Sequence, residues 1–592
     1  MIETLSQIPA NFLRNYEKPD LMLAKAGGRY AAFSSREVYD RIKGISLGLR
    51  DLGCRPGDKL CLLSENRPEW VWTDLAHLGL GGITVPIYPT LVPEQIRYII
   101  DDSDAKVVVC SSPELWAKVA AVRKDLAKVS HFVMMASEAP EGVLTLRDLE
   151  ERGRRLEAGR PGLYEDGAAG VKPEDLASII YTSGTTGLPK GVMLTHGNFL
   201  SNVKALDAVT DFHAGDTILS FLPLSHVLER MTTFAFLYKG CSIAYAESIE
   251  TVAQNLLEVR PTIMICVPRL FEKMHAKIME NVRAGSPLKK KIFFWGIRVG
   301  TEASRRSLRG EPLGAGLRLR RGLARRLVHS KILAKTGGRV KFFVSGGAPL
   351  SKDIAEFFHA VGLVILEGYG LTETAPVVAC NTFDRLKFGT VGRPVPGVEV
   401  MIAEDGEILA RGPNVMKGYY KKEAETDEAL AGGWFHTGDV GVLDEEGFLT
   451  ITDRKKDLIV TAGGKNVAPQ PIENMIKRSP YIAAAVVLGS RRKFVSAIIV
   501  PDFEKLAAYA REGNIPFDLP FELARRADIR DFLLGEIDRM TPNLAPYEKI
   551  KKIIVLDRDF DLESEELTPT LKIKRGKVEE KFKDLIDGVY RE

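Results

Sequence analysis

Hydrophobic and polar positions in the first part of the chain follow two different periods. Between Ser35 and Leu49 the apolar side chains recur at helical spacing behind a serine that can cap a helix, and Gly53 stands where such a helix would end. Residues 57–63 and 82–87 are instead short apolar runs of the kind that form buried strands. Helices that alternate with strands in this way predict βαβ units and a largely parallel sheet.

The same alternation continues along the chain. Further strand-like runs lie at 105–110, 176–181, 217–222, 262–267, 340–344 and 361–366. From residue 388 to 452 the pattern changes to Gly, Pro and short alternating runs, which predict a small β-subdomain. Beyond residue 458, strand-like runs at 483–488 and 496–500 lie among helical segments, which indicates an α+β region.

These patterns predict an α/β protein with two domains. We expect a large N-terminal domain of α/β sheets at 1–452, which includes the β-subdomain at 388–452, then a hinge linker at 453–457 and a smaller α+β C-terminal domain at 458–592. A chain of 592 residues is too long for one hydrophobic core, which agrees with this division. Its hydrophobic content of 45% and charged content of 27% are ordinary for a globular protein.

The composition predicts a cytoplasmic location. No run of about 18 uncharged apolar residues exists, so the sequence predicts no transmembrane helix. The first residues lack the basic and apolar regions of a secretory signal. Six cysteines are scattered without C-x-x-C spacing, which is typical of reduced, structural thiols.

Positive charge is concentrated in one segment, residues 283–341. It contains 17 Lys and Arg against Glu302 and Glu311, a local charge of +15 in a chain whose net charge is only +4. Leucines recur every fourth residue, at 319, 323 and 327, among five arginines, which predicts a basic amphipathic helix. One interpretation is a solvated cationic face. The other is peripheral contact with an anionic membrane, which would place the protein at the inner membrane surface.

The most informative stretch is Tyr181–Gly191, which follows a predicted strand. It contains three glycines, four hydroxyl side chains and Lys190. Glycines let successive backbone N–H groups turn toward phosphate oxygens, hydroxyls can donate to phosphate or reach a metal, and a lysine adds positive charge. The stretch is not a Walker A loop, because Pro189 precedes the lysine and Gly191 follows it.

Two later strands end in glycine-containing turns. Gly346 and Gly347 follow the run at 340–344, and they would let an aromatic base approach the backbone closely. Tyr369 follows the run at 361–366 and offers a face for stacking. Glu373 lies beyond it and could hold Mg²⁺, which is commonly bound by one or two carboxylates together with phosphate oxygens.

Two further polar residues are candidates for binding roles. His226 lies just after the strand-like run at 217–222, where binding groups of parallel sheets concentrate, although a structural histidine explains it equally well. Asp439 closes the segment 432–439 and is suited to accept hydrogen bonds from a ribose diol, although a plain turn aspartate is the alternative.

Taken in order, these motifs resemble those of the adenylate-forming (AMP-binding) enzymes, and the resemblance extends from about residue 30 to 580. Residues 434–457 are similar to the signature of long-chain fatty acyl-CoA synthetases, and 567–575 are similar to the C-terminal segment that carries the family's catalytic lysine. The sequence departs from the family pattern at Gly432, Leu443 and Leu571, where Asp, Trp and Gly are common.

The resemblance implies an α/β fold with a mobile C-terminal domain and the activity of a long-chain fatty acid–CoA ligase. A fatty acid and ATP would give acyl-adenylate and pyrophosphate, and CoA would then displace AMP, with Mg²⁺ as the metal. The implied catalytic residues are Lys572, Glu373 and His226, and the metal ligands are Thr182 and Glu373. The implied ATP and AMP contacts are Thr182, Ser183, Gly184, Thr185, Thr186, Gly187, Lys190, Gly346, Gly347, Ala348, Gly368, Tyr369, Gly370, Thr372, Asp439, Arg454 and Lys456. CoA contacts would come from Gly463, Gly464 and Lys465, after rotation about a pivot at Lys456.

Three alternatives stand beside this interpretation. The first is an adenylate-forming ligase for another carboxylic acid, although an amino-acid enzyme would be expected to have an aspartate near Leu222–Ser225 and none is there. The second is a fatty acyl-AMP ligase that loads a carrier protein. The third is a non-catalytic lipid- or nucleotide-binding protein at membranes, which the presence of Lys572 and Glu373 disfavours. We expect no nucleic-acid partner, and the sequence leaves both a monomer and a homodimer open.

Overall fold

The computed structural model describes residues 2–182, 188–561, 564, 566–568 and 573–591. The chain forms two compact units. Unit 1 comprises Met1–Met401, Leu409–His436 and Leu443–Thr450, and unit 2 comprises Ile402–Ile408, Thr437–Val442 and Ile451–Glu592.

The strands are given in chain order. They are β1 (Met22–Ala26), β2 (Arg29–Phe33), β3 (Lys59–Leu63), β4 (Ile83–Ile87), β5 (Ala105–Cys110), β6 (His131–Met134), β7 (Leu144–Thr145), β8 (Leu176–Thr182), β9 (Lys190–Thr195), β10 (Thr217–Ser220), β11 (Ser242–Tyr245), β12 (Ile263–Cys266), β13 (Phe342–Ser345), β14 (Val364–Gly370), β15 (Val377–Cys380), β16 (Arg393–Pro394), β17 (Glu399–Ile402), β18 (Glu407–Arg411), β19 (Gly418–Tyr419), β20 (Phe435–Leu443), β21 (Leu449–Arg454), β22 (Ile459–Val460), β23 (Asn466–Val467), β24 (Ile482–Leu488), β25 (Val495–Pro501) and β26 (Ile550–Val555).

The α-helices are given in the same way. They are α1 (Ile8–Asn15), α2 (Ser35–Asp51), α3 (Pro68–Gly79), α4 (Pro93–Asp102), α5 (Pro113–Val122), α6 (Leu146–Gly159), α7 (Leu163–Ala169), α8 (His196–Val209), α9 (Val227–Tyr238), α10 (Val252–Val259), α11 (Pro268–Arg283), α12 (Pro287–Leu308), α13 (Ala315–Ala324), α14 (Ser330–Ala334), α15 (Lys352–Val361), α16 (Glu423–Ala429), α17 (Pro469–Ile476), α18 (Phe503–Glu512), α19 (Ala527–Met540), α20 (Arg575–Lys581) and α21 (Lys583–Arg591).

Unit 1 contains two large sheets whose central strands are parallel. The nine-stranded sheet has the order β16-β15-β14-β13-β12-β10-β11-β1-β2, and β14 to β1 run parallel within it. The eight-stranded sheet has the order β19-β9-β8-β4-β3-β5-β6-β7, with β8 to β7 parallel. Strands such as β11 and β12 are buried along their whole length, as expected for apolar runs covered by helices on both faces. The predicted α/β fold is confirmed.

The helix predicted behind a serine cap illustrates how local sequence positions these elements. Helix α2 begins after Ser34, whose Oγ accepts a hydrogen bond from the Glu37 N–H at 3.2 Å while the Glu37 carboxylate accepts from the Ser34 N–H at 2.7 Å. This reciprocal capping box satisfies two backbone donors that the helix cannot use. The helix ends at Asp51, just before Gly53 with its positive φ of 89°.

A buried ion pair ties the helices of unit 1 to its sheet. Arg230 on α9 and Asp74 on α3 are both fully buried, with Arg230 Nη2 2.6 Å from Asp74 Oδ1. Arg230 also donates to Ser178 Oγ on β8 at 2.5 Å, and its guanidinium lies over the rings of Trp70, Phe199 and Phe234. Each buried charge is therefore paired with the opposite charge, so neither is left as an isolated buried ion.

The later part of the chain is built from smaller sheets. Strands β17, β18, β20 and β21 form a four-stranded sheet, and β22 pairs with β23. In unit 2, β24, β25 and β26 form a three-stranded mixed sheet with α17 to α21 packed around it, which confirms the α+β prediction. Among the described residues, no helix is both long and apolar enough to cross a membrane.

Candidate functional site

The carboxyl ends of β10, β12, β13 and β14 lie together at one edge of the nine-stranded sheet. Ser345 pairs with Glu367 in register, so the turn after β13 lies next to the end of β14. Gly346 is buried there, and its N–H donates to the Cys266 carbonyl at 3.1 Å. A Cβ on Gly346 would lie 3.1 Å from Cδ2 of Leu228, so the turn and the start of α9 are in close approach.

The two turns at this edge require glycine, one because of its backbone conformation and the other because of a close contact. Gly347 has a φ of 81°, a conformation that side chains with a Cβ rarely adopt. A Cβ on Gly370 would lie 1.7 Å from the Pro376 carbonyl oxygen, so no other residue fits. The sequence-predicted residues Gly346, Gly347, Ala348, Gly368, Tyr369, Gly370 and Thr372 thus lie on neighbouring turns of one sheet edge.

His226 lies in the turn after β10, at the same edge, and caps helix α9. Its ring Nδ1 accepts a hydrogen bond from the Leu228 backbone N–H at 3.2 Å, and the backbone N–H of His226 donates to the Pro223 carbonyl at 2.8 Å. Because Nδ1 acts as an acceptor, the neutral imidazole carries its proton on Nε2. The cap therefore fixes the orientation of a half-buried ring whose Nε2 is the donor.

Glu373, Tyr419 and Lys190 form a second group in unit 1. Glu373 lies in the single turn of 3-10 helix that follows β14, and the Tyr419 hydroxyl donates to its Oε1 at 3.0 Å. Burial, with the charge of Glu373, raises the pKa of Tyr419, so this hydroxyl stays protonated as a donor. Lys190 Nζ lies 5.1 Å from the centre of the Tyr419 ring, within the range of a cation–π contact.

The same group includes Thr182, near the start of the stretch Tyr181–Gly191. Thr182 ends β8 and pairs in register with Lys190 at the start of β9, and its Oγ1 lies 3.5 Å from the Lys190 carbonyl oxygen. Gly191 lies so close to β8 that a Cβ there would be 2.6 Å from Cγ2 of Ile179. The predicted residues Ser183, Gly184, Thr185, Thr186 and Gly187 lie outside the described residues.

The group is suited to Mg²⁺ only if a ligand supplies further oxygens. The described residues contain no cluster of three or more His, Cys, Asp or Glu that could hold a metal. Glu373 offers one carboxylate and Thr182 one hydroxyl, which is the sparse protein contribution typical of Mg²⁺ bound with nucleotide phosphates. The donor set therefore fits a metal shared with a polyphosphate, and it does not fit a metal held by protein alone.

Several polar residues at this edge were not found by sequence reasoning. Glu229, three residues after His226, is buried, and its Oε1 accepts from Ser220 Oγ at 2.5 Å. Asn66 Nδ2 in turn donates to Ser220 Oγ at 3.1 Å. A second buried carboxyl, that of Glu367, ends the apolar part of β14, and burial raises the pKa of both carboxyls to about 8. The only sequence signal for Glu367 is an acidic residue at the end of an apolar run, and Glu229 has no such signal.

Glu229 predicts a pH dependence of folding. Burial raises the pKa of Glu229 from its ordinary value of 4.5 to about 8, so the carboxyl keeps its proton in the folded state while the unfolded chain releases it. Its contribution to stability therefore falls as pH rises from about 4.5 to about 8. We expect Glu229→Gln to exceed the wild type in free energy of unfolding by several kcal/mol at pH 8 and by much less at pH 5.5.

Denaturant unfolding at the two pH values measures this difference, with Glu445→Gln as the control, because Glu445 is exposed. Equal unfolding free energies for wild type and Glu229→Gln at pH 8 would show that the buried carboxyl does not hold its proton.

Unit 2 contains a separate polar group around Asp439. Asp439 is buried on β20, and its Oδ1 lies 3.1 Å from Nε of Arg454 at the end of β21. Lys455 Nζ pairs with Asp405 at 2.6 Å and with Glu407 at 2.9 Å. A cleft of about 270 Å³ is lined by Thr437, Gly438, Arg454, Lys455 and Lys456. The Asp439 carboxylate is thus held by Arg454 beside a cleft lined by basic side chains.

The remaining candidates of unit 2 are partly described. Gly463, Gly464 and Lys465 form the exposed turn between β22 and β23, where Gly464 has a φ of 71° and the Lys465 N–H donates to Thr461 Oγ1 at 3.1 Å. Lys572 lies outside the described residues. On either side of it in sequence, Leu567 forms a bridge with Ile573, and the Lys574 N–H donates to the Glu566 carbonyl at 2.8 Å.

Comparison with known proteins places the chain in one family. The model of the AMP-binding enzyme family matches residues 13–420, and the model of the AMP-binding enzyme C-terminal domain matches 456–592. The chain is 37% identical over 588 residues to long-chain-fatty-acid–CoA ligase FadD15 of Mycobacterium tuberculosis, which covers 98% of this chain and 96% of the relative. It is 32% identical over 608 residues to rat long-chain-fatty-acid–CoA ligase 6, covering 97% of this chain and 84% of the relative.

Solved structures agree on the fold. The anthranilate CoA ligase AuaEII in complex with anthranoyl-AMP superposes with a TM-score of 0.73 at 20% identity, over 98% of this chain and 96% of that one. The adenylation domain of a carboxylate reductase from Mycobacterium chelonae gives a TM-score of 0.76 at 23% identity, over 100% and 91%. With two family models together spanning most of its length, this chain belongs to the AMP-binding enzymes.

Proposed function

We propose that the protein is a long-chain fatty acid–CoA ligase. It joins a fatty acid to ATP, releases pyrophosphate, and passes the acyl group from the adenylate to CoA with release of AMP. The observation that carries the proposal is the 37% identity, over 98% of the chain, to a relative named long-chain-fatty-acid–CoA ligase. ATP and CoA are accordingly its nucleotide substrate and acyl acceptor.

The first step requires an anionic carboxylate to attack the α-phosphorus of an anionic triphosphate. Cations and aligned donors must therefore offset both the repulsion and the charge that develops on the phosphoryl oxygens. In the proposal, Lys190 and the stretch 182–187 hold the phosphates, and the base lies on the turns at 346–348 and 368–370. The His226 ring, fixed by its cap, faces the acyl carboxylate as a donor from Nε2.

Mg²⁺ belongs to this proposal. When bound, it neutralises charge on the phosphates and so favours their attack by the carboxylate. Glu373 would hold it through a carboxylate that Tyr419 orients, with Thr182 as the hydroxyl partner. The Tyr419 hydroxyl occupies one lone pair of Oε1, so it directs the remaining carboxylate lone pairs without neutralising the charge.

The residues of unit 2 are assigned roles by the same proposal. Asp439 would accept hydrogen bonds from the ribose hydroxyls, with Arg454 holding the carboxylate in place. Lys572 would bridge the carboxylate and phosphate oxygens in the first step. The turn at Gly463–Lys465 would contact CoA in the second step, and Lys456 would be the pivot between the two states of the C-terminal domain.

The proposal also includes a site of action. Long-chain fatty acids partition into bilayers, so an enzyme that consumes them gains access to substrate at a membrane surface. The segment 283–341, with its local charge of +15, would provide peripheral contact with anionic lipid from the cytoplasmic side.

A substrate panel tests the proposal. Purified protein is given ATP and Mg²⁺ with straight-chain acids of increasing length and with aryl and amino acids, and pyrophosphate release is followed with and without CoA. We expect turnover with long-chain acids that depends on CoA. Preference for aryl acids would contradict the proposed substrate. Turnover that needs an acyl carrier protein in place of CoA would contradict the proposed acceptor. No release of pyrophosphate with any acid would contradict the proposed activity.

A further inference from the structure

Helix α13 and the π-helical turn that follows it, Arg325–His329, are apolar on two opposite sides. The inner side packs on α12. Leu317 and Ala324 are buried in one cluster with Val299 and Ala303, and a Cβ on Gly296 would lie 2.7 Å from Cγ2 of Val328. These contacts hold the inner side of α13 on α12.

The outer side carries a stripe of exposed leucines. Leu319, Leu323 and Leu327 are 78%, 50% and 39% exposed. A spacing of four residues places successive side chains on one face of a helix, so the three leucines form a continuous stripe. One exposed leucine needs no explanation, but three successive leucines that are each more than a third exposed on one face indicate an interaction surface.

At helical spacing Arg320 and Arg326 lie beside this stripe, and Arg318, Arg321 and Arg325 add positive charge elsewhere on the same segment. Arg318, Arg320, Arg321, Arg325 and Arg326 are all exposed. On α12 the arginines near the end of the helix lie near carboxylates, as Arg306 does with Glu302 at 3.5 Å and Arg309 with Glu311 at 3.7 Å. No comparable ion pair to a carboxylate involves the five arginines of α13 and the π-helical turn within the described part of the chain. Their charge is therefore available to a partner outside the protein.

We propose that the outer face of α13, which we call the leucine–arginine face, docks on an anionic lipid bilayer. The leucines would enter the boundary of the acyl region, and the long arginine side chains would reach the lipid phosphates, which is how basic amphipathic helices lie in a membrane interface. A nucleic acid would satisfy the arginines but leave three leucines without a role. A second copy of the chain would bring two clusters of like charge together.

This surface deepens the proposed function, on which it rests, because it would hold the enzyme where long-chain acids are dissolved. Two kinds of contact act together here. Apolar insertion does not depend on ionic strength, whereas the attraction of arginines to anionic lipid falls within a Debye length and weakens with salt. The leucines and arginines can therefore be tested separately.

The test is flotation of the full-length protein with vesicles of phosphatidylcholine and phosphatidylglycerol, and with vesicles of phosphatidylcholine alone. We expect binding to the anionic vesicles that weakens with added salt. The combined variant Leu319→Ser, Leu323→Ser, Leu327→Ser should lose about tenfold or more in partition coefficient. The combined variant Arg320→Gln, Arg321→Gln, Arg325→Gln, Arg326→Gln should lose roughly a hundredfold or more and most of its salt dependence.

Matched controls make the result specific to this face. Leu257→Ser changes an exposed leucine of α10, and the double variant Arg155→Gln, Arg160→Gln removes exposed charge from the region of α6; both should float like the wild type. Binding that survives both combined variants, or that is equal on the uncharged vesicles, would overturn the proposal. So would a shift of the serine variant from dimer to monomer without vesicles, which would assign the face to a second copy.

Measurements of activity distinguish failure of this proposal from failure of the proposed function. With a long-chain fatty acid supplied in solution without vesicles, the serine variant should form acyl-CoA at the wild-type rate, because α13 contributes no residue to the candidate site. With a long-chain acid presented in anionic vesicles, its rate should fall. No activity of the wild type with any acid would refute the proposed function alone, whereas equal rates of wild type and variant on vesicles would refute the role of the face.

Discussion

Glu373→Ala is expected to lower acid-dependent pyrophosphate release by about a hundredfold to a thousandfold while leaving the unfolding transition unchanged. Glu373 lies on a tight turn after β14, at the edge where β13 and β14 end. Its side chain accepts from Tyr419 on β19, and its backbone carbonyl accepts from the Met416 N–H at 2.8 Å. Alanine keeps the backbone bond, so the fold persists. It removes the only described carboxylate of the group that can share Mg²⁺ with the phosphates.

Tyr419→Phe is the matched variant for this experiment. It retains the ring beneath Lys190 and removes the hydroxyl that donates to Glu373 Oε1. The carboxylate then keeps its charge but loses its orientation, so we expect a smaller loss of rate and a higher Mg²⁺ concentration for half-maximal activity. If Glu373→Ala releases pyrophosphate at the wild-type rate in saturating Mg²⁺, Glu373 does not hold the metal.

Lys572→Ala is expected to separate the two half-reactions. Adenylation brings a carboxylate to a polyanionic triphosphate, and a bridging cation offsets their repulsion. Thiol attack on an acyl-adenylate that already exists does not need this cation. The variant should therefore lose adenylation by orders of magnitude and still convert supplied acyl-adenylate and CoA to acyl-CoA, as measured by quenched-flow assays of each step.

Two variants complete that experiment. Lys574→Ala removes the neighbouring lysine side chain but keeps the backbone hydrogen bond from Lys574 to Glu566, so both half-reactions should proceed at near wild-type rates. Lys456→Pro fixes φ at the proposed pivot and should slow the second half-reaction more than the first. Equal slowing of both steps in Lys572→Ala would contradict the assignment of Lys572 or the exchange of C-terminal surfaces between steps.

The periodicity of the chain was sufficient to predict its core architecture. Runs such as 262–267 and 340–344 are apolar apart from Thr262 and Lys341, because their strands, β12 and β13, are buried in the sheet, and this composition is visible without the structure. Strand β1 was less visible. It has an intermediate burial pattern and pairs with β11 more than 200 residues away, so no local pattern indicates its place in the sheet.

The candidate site was predictable where glycine or motif order constrains the backbone, and not where one side chain meets another from a distant part of the chain. Gly346, Gly370 and Lys190 could be named from their turns, and the structure explains them by close approach and register. Tyr419 could not be named from the sequence, because its contact with Glu373 depends on the pairing of β19 with β9. Glu229 was missed because a buried acid in an apolar helix has no motif.

Isotope transfer tests the central claim, that the carboxylate is activated as an adenylate. A long-chain fatty acid labelled with ¹⁸O in both carboxylate oxygens is incubated with ATP, Mg²⁺ and CoA. One labelled oxygen bonds to the α-phosphorus as pyrophosphate leaves, and it stays with AMP when the CoA thiol attacks the acyl carbon. We predict one ¹⁸O in each AMP and one in each acyl-CoA. Unlabelled AMP, or ADP with labelled phosphate, would contradict the account.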